Sequence, residues 1–138
     1  MQRRKQEQQL TIPAPAQSVG GVELGDAFYA STVFASSPLS RVWAHRLGGR
    51  GKAQVFLSEA GISIERVGEP SFHIPKNDLI SLTRASATID KGVERDGLMV
   101  LVWRLGDQEV MTNLRVVSAN KRKEYEDAIE KVTGVQRG

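Results

Sequence analysis

LMVLVWRL (Leu98–Leu105), GDQ (Gly106–Gln108) and EVMTNLRVV (Glu109–Val117) form the stretch on which the fold is decided. The first segment is apolar at nearly every position. A strand with one wet face alternates apolar and polar residues, so this one reads as buried on both faces. Gly106 and Asp107 supply a tight reversal. They turn the chain back into EVMTNLRVV, which reads as the next strand. A central strand and its neighbour, joined as a hairpin, are therefore expected.

Working backwards, short runs with period two recur between turn signals. AFYASTVFA (Ala27–Ala35) reads as a first strand and SRVWAHRL (Ser40–Leu47) as an alternating second. KAQVFLS, GISIERV and SFHIP follow, with Val55 and Leu57, Ile62 and Ile64, and Phe72 and Ile74 at every other position. NDLISLTRASATI reads as a longer strand, bulged near Arg84, and KGVERDG as a polar loop. Turns at short, regular spacing point to a mainly β, antiparallel sandwich or barrel. Working forwards, Ser118 is a natural helix N-cap. Tyr125, Ala128, Ile129 and Val132 then form one apolar stripe, with Lys121, Arg122, Lys123, Glu124, Glu126 and Asp127 on the wet side. Gly134 is the expected stop. One C-terminal helix thus caps an open edge of the β-structure.

The chain has 138 residues, 40% of them hydrophobic, enough for one domain with its own core. Residues 1–20 are rich in Gln, Pro and Ala and carry Arg3, Arg4 and Lys5, so a disordered basic leader is expected there. Residues 21–134 read as the domain and 135–138 as a disordered tail. No cysteine is present, which excludes disulfides, thiolate metal sites and cysteine nucleophiles. No apolar run approaches the roughly 20 residues of a membrane-spanning helix.

The formal net charge of +3 is mild. Its distribution says more, because no acidic residue falls between Asp26 and Glu59. Arg41, Trp43, His45, Arg46, Arg50 and Lys52 lie there. They are either ordinary solvated positions or a face for an anionic ligand or an acidic partner. Trp43 is a possible rim aromatic. Catalytic signatures are absent. GGRGK lacks the glycine spacing and the following helix of a phosphate loop. There is no nucleophile elbow. His45 and His73 have no second ligand at a metal spacing. Glu94 and Asp96 share a polar loop with Lys91 and Arg95. No cofactor, metal or nucleic acid is expected.

FYASTVF (Phe28–Phe34), SEAGISIERVG (Ser58–Gly68), FHIPKNDLISLTRA (Phe72–Ala85) and DGLMVLVWRLGDQEVMTNLRV (Asp96–Val116) together resemble the pleckstrin-homology-like (PH-like) superfold. The likeness covers about residues 22–134. It is similar in particular to the membrane-anchored PH-like proteins of actinobacteria, a group loosely labelled export or transporter membrane proteins. That resemblance implies a seven-stranded antiparallel bent sandwich capped by one C-terminal helix. It also implies a transmembrane helix ahead of the domain, missing from this chain, with Arg3, Arg4 and Lys5 as the basic cluster on the cytoplasmic side of the span.

The expected role is a non-enzymatic interaction module at the cytoplasmic face of the membrane, with a protein as its partner. Anionic lipid is the alternative ligand. A small-ligand carrier, or an accessory subunit of a transport system, is the alternative of another class. A packed domain beside one span provides no transport pathway of its own.

Overall fold

The computed structural model describes residues 22–42, 47, 49–89 and 92–137. Its strands are β1 (Val22–Phe34), β2 (Ser37–Arg41), β3 (Gly51–Ser58), β4 (Gly61–Arg66), β5 (Phe72–Pro75), β6 (Leu79–Ile89), β7 (Gly92–Leu105) and β8 (Gln108–Arg115). A single helix, α1 (Ala119–Thr133), closes the chain. Seven strands form one antiparallel path in the order β5-β4-β3-β1-β8-β7-β6, and the short β2 pairs with β1 off that path.

The hairpin of β7 and β8 sits where its sequence demands. Trp103 faces Val110, Leu101 faces Thr112 and Met99 faces Leu114 across the ladder. Met99 through Trp103 are all buried, on both faces of the strand. β1 does double service. Its first half pairs with β3, and its second half pairs with β8 and β2. The ladder shifts between Tyr29 and Ser31 and again between Glu23 and Gly25. Such bulges bend a strand, which lets one sheet fold over on itself. The interior is filled by Tyr29, Val55, Ile62, Ile64, Phe72, Leu101, Trp103 and Leu114. Phe72 stacks on Trp103 at 5.8 Å and meets Tyr29 edge-on at 6.1 Å.

A buried hydrogen-bond chain crosses this core. The Trp103 indole donates to Thr112 Oγ1 at 2.8 Å, and Thr112 pairs with Thr32 Oγ1 at 2.9 Å. Thr32 also meets the Tyr29 hydroxyl, which donates to the carbonyl of Leu47 at 2.8 Å. An indole only donates and a carbonyl only accepts, so the direction of the whole chain is set. It ties β7, β8 and β1 to the segment carrying Leu47.

Residues 43–46 of the expected second strand lie outside the described residues; the strand described there, β2, is Ser37–Arg41, and the N–H of Val42 after it donates to the Thr32 carbonyl of β1 at 2.7 Å. Three expectations are corrected. KGVERDG is not a loop beyond its first residue, because the β6–β7 ladder runs out to Ile89 paired with Gly92. The helix buries Arg122, Tyr125, Glu126, Ile129 and Thr133, while Val132 remains 36% exposed. That stripe keeps the three- and four-residue spacing but is rotated, because Arg84 of β6 draws Glu126 inward. Finally, residues 135–137 are packed. Val135 is buried, Leu82 N–H donates to the Gln136 carbonyl at 3.0 Å, and Arg137 pairs with Asp127 and Glu130 of α1. The expected leader lies outside the described residues.

The ends of α1 follow the sequence. Ser118 Oγ accepts from Lys121 N–H at 3.1 Å. Gly134 adopts φ 75°, a left-handed conformation that glycine takes without strain.

Candidate interaction surface

Of the proposed basic face, Trp43, His45 and Arg46 lie outside the described residues, and for Arg41 the structure places only the backbone, in β2. Arg50 and Lys52 are exposed, Arg50 just before β3 and Lys52 on it. Lys52 therefore anchors the surface that can be described.

Residues directly opposite each other in a ladder project to the same face. Phe28 of β1 lies opposite Lys52 of β3 on one side and Arg115 of β8 on the other. Val67 N–H donates to the Lys52 carbonyl at 3.0 Å, which carries the row past the end of β4. One row on the outer face thus reads Val67, Lys52, Phe28, Arg115. Two residues along each strand, a second row reads Glu65, Gln54, Asp26. The rows stand about 7 Å apart, twice the rise per strand residue. The first carries cations and apolar groups, and the second carries acids around an amide.

An open groove of about 470 Å³ lies along these rows, lined by Asp26, Lys52, Gln54, Glu65, Arg66 and Val67 among others. The charges of the two rows balance, with Lys52 and Arg115 against Asp26 and Glu65. Within the groove Gln54 Nε2 reaches Asp26 Oδ1 at 3.5 Å. No ion pair engages Lys52 or Glu65 among the described residues. Arg66 is held from behind. It is 8% exposed, donates from Nε to the Pro70 carbonyl at 2.8 Å, and lies 4.8 Å over the Tyr29 ring. Ladder register puts it opposite Ala53, so cation–π contact with Tyr29 and Phe72 and the Pro70 carbonyl hold its guanidinium on the core side of the sheet.

The acid-free stretch of sequence is therefore not an acid-free surface. Asp26 and Glu65 come from β1 and β4, outside that stretch, and cross-strand register brings them beside Lys52. Phe28 and Val67, 39% and 73% exposed, were equally invisible as site residues. Only pairing register identifies any of them.

His73 is structural. Its Nε2 donates to the Ala60 carbonyl at 3.3 Å, and its Nδ1 is hydrogen-bonded to Ser63 Oγ at 2.8 Å. Gly61 beside it is irreplaceable on two counts, since its φ is 142° and an added Cβ would lie 2.1 Å from the Ile74 carbonyl oxygen. Among the described residues, no group of three or more His, Asp or Glu side chains is placed to hold a metal ion.

On the opposite side, Tyr125 of α1 donates its hydroxyl to the Asp26 carbonyl at 2.9 Å. Burial raises its pKa above the ordinary 10.0, and the charges of Asp26, Glu124 and Glu23 push the same way. Beside it, Glu126 accepts a two-pronged contact from Arg84, at 2.9 Å from Nε and 2.7 Å from Nη2.

A search of the curated proteins finds no match to this chain. The protein-family comparison does find one. The model described as "Bacterial PH domain-like" matches residues 9–133, which takes in every strand and the whole of α1. Strand order, C-terminal helix and family match agree, and the chain belongs to the bacterial PH-like domain family.

Proposed function

We propose that this domain is a non-enzymatic interaction module at the cytoplasmic face of a membrane, and that its partner is a protein rather than anionic lipid. The observation that carries the choice of partner is the charge balance of the outer face. A lipid-binding surface gathers cations, each adding about 1 kcal/mol near an anionic bilayer. Here Asp26 and Glu65 lie beside Lys52 in the same groove. Mixed charge with exposed Phe28 and Val67 suits a protein surface, where polar rims surround apolar anchors.

The membrane address rests on Arg3, Arg4 and Lys5, a cluster of the kind found next to the cytoplasmic end of a span. Among the described residues no helix is long and apolar enough to cross a membrane, so attachment would come from a segment other than α1. The carrier reading gains no support, because the sandwich interior is filled by the core side chains.

Vesicle co-sedimentation of the full 138-residue chain tests the choice of partner. Equal, weak recovery on neutral and anionic vesicles is the expected result. Binding to anionic vesicles that fades with salt, and is lost in Arg50→Ala with Lys52→Ala, would make lipid the ligand instead.

A further inference from the structure

We infer that the outer face of β1, β3 and β4 is self-complementary and pairs with a second copy of this chain. The inference rests on the protein-binding reading above and names the partner.

Three observations converge on this face. The first is the arrangement of charge. The row Val67, Lys52, Phe28, Arg115 and the row Glu65, Gln54, Asp26 run side by side across the strands. A two-fold axis lying across the strands between the rows sets the cationic row of one copy on the acidic row of the other. Neighbouring strands are about 4.8 Å apart. Lys52 on β3 then comes between Asp26 on β1 and Glu65 on β4 of the second copy. This is the residue-for-residue reciprocity that an isologous interface requires.

The second observation is that two of these charges have no ion pair among the described residues. Lys52 and Glu65 have no ion-pair partner there, whereas several charges on the helix side do. Arg84 is paired with Glu126, and Arg137 with Asp127 and Glu130. The third is exposed apolar surface on the same rows. Phe28 and Val67 are among the large apolar side chains left open to water, and Val117, 84% exposed, continues the line of β8 two residues past Arg115. Apolar anchors set among complementary charges are what a protein surface offers to a partner. The groove gives the contact depth.

Sedimentation equilibrium over a concentration series tests the pairing in the intact chain. Wild type should show a monomer–dimer equilibrium that weakens as salt rises. Lys52→Glu should weaken dimerisation at least about ten-fold, and the double variant Asp26→Lys, Glu65→Lys should do the same. Mixed in equal amounts, the two variants should regain a dimer, because each supplies the charge the other has lost. That rescue also proves both variants folded. A wild-type chain that stays monomeric throughout, or a mixture that stays monomeric, overturns the pairing. The protein-binding reading would survive either result and fails only on salt-sensitive recovery with anionic vesicles.

Discussion

The two sides of this molecule treat charge in opposite ways. On the helix side several described ionic groups are drawn into ion pairs. Arg84 clamps a Glu126 that is 1% exposed, Arg137 reaches Asp127 and Glu130, and Gln136 covers the edge amide of Leu82. On the outer face of β1, β3 and β4, Lys52 and Glu65 line an open groove and have no ion-pair partner among the described residues. One side uses polar chemistry to seal the sandwich, and the other leaves it available. Substitutions on the two sides should therefore differ in kind. Sealing residues should change stability, and open-face residues should change association.

The largest expected effect is Arg84→Ala. It leaves a buried carboxylate without its cation, a loss of about 3–5 kcal/mol, readable in chemical denaturation. The reverse deletion, Glu126→Ala, should cost clearly less. The freed Arg84 side chain is 38% exposed and can turn to water. Equal costs for the two would break the idea that burial of Glu126 sets the balance.

Tyr125→Phe should cost about 1 kcal/mol at neutral pH, the worth of one hydrogen bond to the Asp26 carbonyl. The phenol also predicts a pH dependence. Its proton is held more tightly in the folded state than in the unfolded one. The unfolded chain therefore releases this proton first as pH rises. The resulting stabilisation is complete below pH 10.0 and is lost as pH climbs through the raised folded value. Wild type should lose its advantage over Tyr125→Phe across that window. Parallel pH profiles for the two would rule the linkage out.

Smallest is Lys52→Glu, which should leave monomer stability within about 0.5 kcal/mol. A larger loss would mean that Lys52 belongs to the sealed part of the fold after all.

The fold was legible wherever a single segment carried its own signal. The continuous apolar run at Met99–Trp103 announced a strand buried on both faces. Ser118 and Gly134 announced the helix ends. What escaped depends on a second segment. The rotation of the helix stripe needs Arg84, forty-two residues away from Glu126. The tail looked free because three residues cannot reveal that an edge strand waits for them. The candidate surface was half legible. Lys52 was visible in the run without acids, but Asp26 and Glu65 reach it only through ladder register. A linear run of like charge is no guide to surface potential once strands interleave.

The most direct test is amide chemical-shift mapping of the full chain on serial dilution. The account predicts shifts concentrated on the two outer rows, at Asp26, Phe28, Lys52, Gln54, Glu65 and Val67, with Leu82, Arg84 and the helix unmoved. Shifts centred on β6 and α1, or no concentration dependence at any amide, would contradict it.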